Sequence, residues 1–183
     1  MTRFTKLAAV AALALPLVSH AADFDYSFVQ LDYRELNVDR GPDADGLALR
    51  GSLAIAPQFF LLAEYGSFEF DSGADWDSWR LGAGGHLPIN NAWDLVGKIG
   101  YAEEDIEGFD ESGLFIYGGA RGALAPKLEL DAGIEYADLD DSFDELTLIG
   151  ELRYNFTPAL AAGVLLRVGD DVSAFGLSGR FSF

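Results

Sequence analysis

His86 is the only histidine beyond the first 21 residues, so acid–base or nucleophilic hydrolysis at neutral pH would have to run through it. A histidine with carboxylates could activate water, and a Ser–His pair could attack an ester or amide. His86 stands directly before Leu87-Pro88 at the end of an alternating apolar stretch, which suits a polar residue filling an interior better than a catalyst. Oxygen coordination is a second chemistry to weigh. Asp138, Asp140, Asp141, Asp144 and Glu145 crowd one segment, and Asp39, Asp43, Asp45, Glu104, Asp105, Glu107, Asp110, Glu111, Asp170 and Asp171 crowd other breaks in the alternation. Oxygen-only clusters suit Ca²⁺ or Mg²⁺. However, Asp138-x-Asp140-x-Ser142 is followed by Phe143 where an EF-hand loop needs glycine, so the plain reading is solvated carboxylates that repel anions, with weak Ca²⁺ or Mg²⁺ binding at most. Charge pairing is the third chemistry. Arg34, Arg50, Arg80, Lys98, Arg121, Arg153, Arg167 and Arg180 share one strand parity with Asp32, Glu64, Asp94, Glu129, Asp131, Glu135 and Glu151, and the two signs nearly cancel.

The elements that must position these groups read as strands. Arg3 and Lys6 precede an apolar run from Leu7 to Val18, and Ser19-His20-Ala21 supplies small residues for cleavage, so residues 1–21 are read as a secretory signal and 22–183 as one domain. The apolar run falls short of the roughly 20 residues a membrane-spanning helix needs, and no other stretch is long enough. Without residues 1–21 the chain keeps ten basic against thirty acidic residues, which argues against nucleic acid as a partner. Cysteine is absent, so disulfides and thiolate metal sites are excluded.

Ten alternating runs follow: 24–36, 46–56, 59–70, 78–87, 93–102, 112–124, 128–137, 145–156, 160–168 and 172–183. An all-β, up-and-down antiparallel barrel of ten strands is expected, with eight as the smaller alternative. Four connections are tight turns at Pro57, Pro88 to Asn91, Pro126 and Pro158, whose fixed φ and missing N–H suit turns. The other five are acidic and mostly longer: 37–45, 71–77, 103–111, 138–144 and 169–171. Short turns on one rim and longer loops on the other match a transmembrane barrel, and an even strand count puts both termini on the short-turn, periplasmic side. Positions 57, 91, 126 and 158 recur at 32 to 35 residues, one hairpin per period.

Parity separates two faces. One is apolar, from Val29, Leu31 and Tyr33 through to Phe175, Leu177, Phe181 and Phe183, and carries no charge; the other holds the paired charges. Each Arg or Lys turned to mid-bilayer lipid would cost about 2–4 kcal/mol, so the apolar face is expected outside and the charges in the lumen. A soluble barrel with the apolar face inward is the bland alternative. It leaves unexplained the aromatic residues near both ends of the runs: Tyr33, Tyr65, Trp79, Tyr101 and Tyr136 towards the acidic loops, and Trp93, Tyr154, Phe181 and Phe183 towards the turns.

The strand ends Tyr101-Ala102-Glu103 and Tyr136-Ala137-Asp138, and the ending Gly176-Leu177-Ser178-Gly179-Arg180-Phe181-Ser182-Phe183, resemble those of small bacterial outer-membrane β-barrels. The group is broadly OmpA- and OmpX-like, and the likeness is greater to short ten-stranded porin-like barrels with acidic loops. The resemblance implies a Gram-negative outer membrane, contact with its lipid and lipopolysaccharide, and insertion by the barrel-assembly machinery through the Phe181/Phe183 pair. Ser178 stands where that family usually has glycine. Omptin-like proteases and outer-membrane lipid hydrolases are the enzyme classes the resemblance raises, and His86 lies at the wrong rim for both. The expected role is therefore non-enzymatic, structural or interactive at the cell surface through the acidic loops with an unidentified surface ligand. A narrow pore is the alternative, for which Gly82, Gly84, Gly100, Gly119, Gly133 and Gly163 on the charged face would leave gaps.

Overall fold

The computed structural model describes residues 24–106, 109–139 and 143–183. The predicted signal over 1–21, together with Glu107, Asp140 and Asp141 of the acidic clusters, lies outside them. Period-two alternation interrupted by proline and acidic turns produces ten strands: β1 (Phe28–Val38), β2 (Ala44–Ala56), β3 (Phe59–Phe70), β4 (Asp75–Asn90), β5 (Trp93–Ile106), β6 (Phe109–Ala125), β7 (Leu128–Leu139), β8 (Phe143–Asn155), β9 (Leu160–Val168) and β10 (Val172–Ser182). Each pairs antiparallel with its sequence neighbours, and β1 pairs with β10 from Phe28↔Ser182 to Val38↔Val172, closing the barrel. Closure leaves no free edge, as a wall in lipid requires.

Burial is inverted relative to a soluble protein. Ile99 and Leu148 are each 57 % exposed on the outside, whereas Asp32 is 0 % and Arg153 1 % exposed on the inside. The apolar face therefore lies outward and the charged face lines the lumen, which rules out the soluble-barrel alternative on physical grounds.

Two elements differ from the sequence expectation. Three of the acidic segments read as loops are partly strand. Asp75–Asp77 continues β4, Glu103–Ile106 continues β5, and Asp138–Leu139 ends β7. Among the described acidic-rim connections, the longest is Asp39–Asp43. The hairpins stay paired above the tyrosines because their inward positions are apolar: Leu36, Ala44, Phe68 and Ala174 form one buried cluster against Trp76, and Ala102, Phe115, Ala137 and Leu139 form another. The 71–74 turn closes with Gly73 at φ 86°, a left-handed conformation that glycine adopts without strain.

The second difference concerns the start of the first run. Phe24 to Ser27 leaves the wall and folds into the lumen, with Phe24 9 % and Tyr26 7 % exposed. At the same rim the tight turns at Pro57, Asn91 and Pro126 stand beside register shifts at Ala54/Ala56, Pro88/Asn90 and Ala123/Ala125, which bend the strand ends around the turns.

Candidate functional site: the barrel lumen

Inward positions of all ten strands contribute to the lumen, and its middle is a network of ion pairs. Asp32 of β1 accepts from Arg34 Nη2 at 2.8 Å and from Arg50 Nε at 2.7 Å. Arg34 reaches across to Glu64 at 2.7 Å. Glu135 accepts from Arg80 and, at 2.8 Å, from Arg167. Glu129 takes Arg121 at 2.8 Å and Arg153 at 3.5 Å, and Asn155 donates to it at 2.6 Å.

Glu151 is the hub. Arg50 lies 3.0 Å, Arg153 3.1 Å and Arg180 4.0 Å from its Oε2, while Gln30 and Ser178 donate to Oε1 at 2.8 and 3.1 Å. Two predicted lumen charges have no opposite charge within ion-pair distance among the described residues. Lys98 sets its ammonium 4.1 Å from the centre of the Tyr117 ring, and Asp131 accepts from the Tyr117 hydroxyl at 2.7 Å. The low-dielectric wall makes pairing of the rest obligatory, since a lone buried charge costs several kcal/mol.

The glycines expected to leave gaps are filled. Phe60 stands opposite Gly84 and its ring occupies the space a Cβ there would need; Phe115 covers Gly100 in the same way, and the Tyr117 ring covers Gly119 and Gly133. Arg153 lies across Gly163, and the backbone of β5 closes on Gly82. Absence of a side chain thus admits a neighbour's bulk rather than a solute. Sequence reasoning passed over these inward aromatics because it followed charge, although Phe60–Gly84, Phe115–Gly100 and Phe68–Gly46 were available as directly opposed pairs.

His86 faces the lumen near the turn rim. Its Nδ1 lies 2.9 Å from Asp94, and its ring stacks on Tyr26 with centroids 4.0 Å apart. No hydroxyl is hydrogen-bonded to the imidazole among the described residues; the ring packs against Tyr26. The Tyr26 hydroxyl also donates to Asp94 at 2.9 Å, Phe60 stacks at 5.1 Å, and Arg121 sits 4.9 Å from the Phe24 ring and 5.0 Å from the Tyr26 ring. Arg121 Nη1 donates to the Asp25 carbonyl at 2.8 Å and Ser52 to the Tyr26 carbonyl at 2.7 Å. The segment is an aromatic plug secured at five side chains. Its signal in the sequence was parity: Phe24, Tyr26 and Phe28 carry the inward, even register of β1.

Three cavities follow one another along the axis. About 890 Å³ lies at the turn rim, about 100 Å³ at mid-height and about 480 Å³ at the acidic rim. Tyr26, Arg121 and Arg180 line both the first and the second, and Glu64, Arg80 and Arg167 line both the second and the third. The lumen is two vestibules joined by a waist.

Outside, Tyr33 donates to Asp45 at 3.1 Å, Tyr65 to Asp77 at 3.0 Å and Tyr101 to Ser112 at 2.6 Å, so these phenols aim towards the acidic rim. Trp79 packs on Tyr101 at the same height, centroids 5.8 Å apart. Tyr136, in register with Leu146, completes this belt. At the turn rim Trp93 covers Gly122, Tyr154 meets Phe156 edge-on at 5.2 Å, and Phe181 lies 6.4 Å from Phe183. An apolar belt bounded by amphipathic rings on both sides is the outer surface of a membrane protein.

The chain has the fold of a small outer-membrane β-barrel. No protein-family model matches it, and no curated protein does. Solved structures do. A KdgM porin in complex with disordered oligogalacturonate superposes with a TM-score of 0.51 at 12 % identity, over 84 % of this chain and 99 % of that one. An outer-membrane channel from Pseudomonas putida F1 gives 0.53 at 10 % identity, over 92 % and 99 %. The translocator domain of the autotransporter NalP from Neisseria meningitidis gives 0.52 at 10 % identity, over 89 % and 91 %.

The predicted divalent-cation segment lies only partly within the described residues. Of its residues, Asp138, Asp144 and Glu145 are described, and no group of three or more acidic or histidine side chains that could hold a metal occurs among the described residues. Glu145 pairs with Ala137, one step beyond the tyrosine belt, and turns inward; burial holds its carboxyl above the usual carboxylate range.

Proposed function

We propose that this chain is a non-enzymatic outer-membrane barrel with both termini in the periplasm, closed to solutes at rest and acting at the cell surface through its acidic rim. The observation that carries this reading is the waist. Its volume of about 100 Å³ is crowded by Arg50, Arg80 and Arg167 with their carboxylate partners, and Tyr26 stands at its periplasmic end. Eight-stranded barrels are filled by side chains and porins of 16–18 strands are open; ten strands are here filled by paired charges and rings. Lipid and lipopolysaccharide meet the outer belt, and Ca²⁺ or Mg²⁺ bridging rim carboxylates to anionic headgroups fits the excess of acid outside the lumen. Refolded protein in planar bilayers should pass no steady unitary current; stable conductance steps would overturn the closed reading.

A narrow pore is the second reading, favoured by the residues that adjoining cavities share. Under it, conductance steps appear and fall when Tyr26 is replaced by tryptophan.

A further inference from the structure

The acidic-rim vestibule is built unlike the rest of the lumen. Its volume of about 480 Å³ lies within the roughly 300–1,000 Å³ of small-molecule sites. Part of its wall is apolar and aromatic. The Trp76 ring lies 5.8 Å from Phe70, nearly parallel to it, and 5.6 Å from Phe68. Trp76 Nε1 donates to Glu104 at 2.8 Å, so one carboxylate is fixed at the edge of the ring cluster.

Charge around this space is unbalanced. Seven carboxylates line it against four guanidinium groups, and three of those four, on Arg34, Arg80 and Arg167, are already held by Glu64, Glu104 and Glu135. Glu145 lines the cavity half-buried, with no cation within ion-pair distance among the described residues, and its carboxylate lies against Gly169. A partly desolvated carboxylate and aromatic rings lining one cavity favour a positive charge twice, through ion pairing and through the ring quadrupoles. A bare divalent ion fits poorly, because no three of these carboxylates converge as ligands among the described residues, whereas Ca²⁺ requires six to eight oxygens.

We propose that this vestibule binds an organic cation with an apolar body, the body against Trp76 and Phe70 and the charge beside Glu104 and Glu145. The inference rests on the surface-interaction reading and names its ligand class. A peptide side chain or a free small molecule would present the same chemistry.

The probes are tetraphenylphosphonium and tetraphenylborate, matched in shape and opposite in charge. Each is titrated into the refolded full barrel in non-ionic detergent while tryptophan fluorescence is followed. Tetraphenylphosphonium should quench saturably and bind at least tenfold more tightly than tetraphenylborate. Glu145→Gln should weaken the cation at least threefold and leave the anion unchanged, and Trp76→Phe should remove the saturable quench. Equal affinities for the two ions, or quenching that rises linearly as in micelle partitioning, would overturn the proposal. Heat-modifiable gel mobility verifies closure of each variant, and the comparison of the two ions on the unaltered protein stands if a variant fails to fold. An arginine-containing tripeptide that competes with tetraphenylphosphonium points to a peptide source; a simple tetraalkylammonium that competes while the peptide does not points to a small molecule, and competition by neither counts against an organic-cation site. Conductance is measured separately, so a conducting barrel that still prefers the cation would sink the closed-lumen reading alone.

Discussion

Glu151 shows how a single residue holds the wall together. Arg50, Arg153 and Arg180 approach one of its oxygens from β2, β8 and β10, and Gln30 ties the other to β1. Replacing it by glutamine leaves Arg50 with Asp32, Arg153 with Glu129 at 3.5 Å, and Arg180 with no carboxylate within ion-pair distance among the described residues. Removing one member of a buried pair costs about 3–5 kcal/mol, so Glu151→Gln should lower the unfolding free energy obtained from denaturant titration by that order, with a matching fall in midpoint, whereas Glu35→Gln on the exposed rim should be nearly silent. A midpoint unchanged in Glu151→Gln would mean that water rather than protein satisfies the network.

Among the elements, β5 states the membrane argument most compactly. Trp93 and Tyr101 bracket Leu95, Gly97 and Ile99 on its outer face, a span within the roughly 9–11 residues of a tilted transmembrane strand. Ile99→Arg should destabilise the barrel in lipid vesicles by about 2–4 kcal/mol, and by much less if Ile99 met water. Strand number, turn positions and the two faces were legible in the sequence, because period-two patterning and proline act locally. Residues 75–77 and 103–106 were not, since their acids suggest loops and only the collapse of Trp76, Phe68 and Leu139 inside the rim keeps them paired. Nor was the filling of Gly84 and Gly100, where the sequence reports a missing side chain and the fold decides whose ring takes its place.

For the whole molecule, the proposed closure would rest on two devices in series, the charged waist and the aromatic plug. The lumen charges were legible as a face but not as partners, because parity assigns a side and not the height at which side chains meet. Tyr26 was missed because a strand run was assumed to stay in the wall. Tyr26→Ala removes the ring at the junction of two cavities, and brief openings should appear in planar bilayers where the unaltered protein is silent. Continued silence would assign closure to the waist alone.

The first and last strands are fastened from within. Arg180 of β10 donates to Gln30 of β1 at 2.6 Å and lies 3.7 Å from the centre of the Phe28 ring, and the Phe183 amide donates to the Ser27 carbonyl at 3.1 Å. A sheet assembled in chain order can gain these bonds only after its tenth member arrives, so the incomplete wall is a gate left unlatched, and the bolt is carried by the final piece.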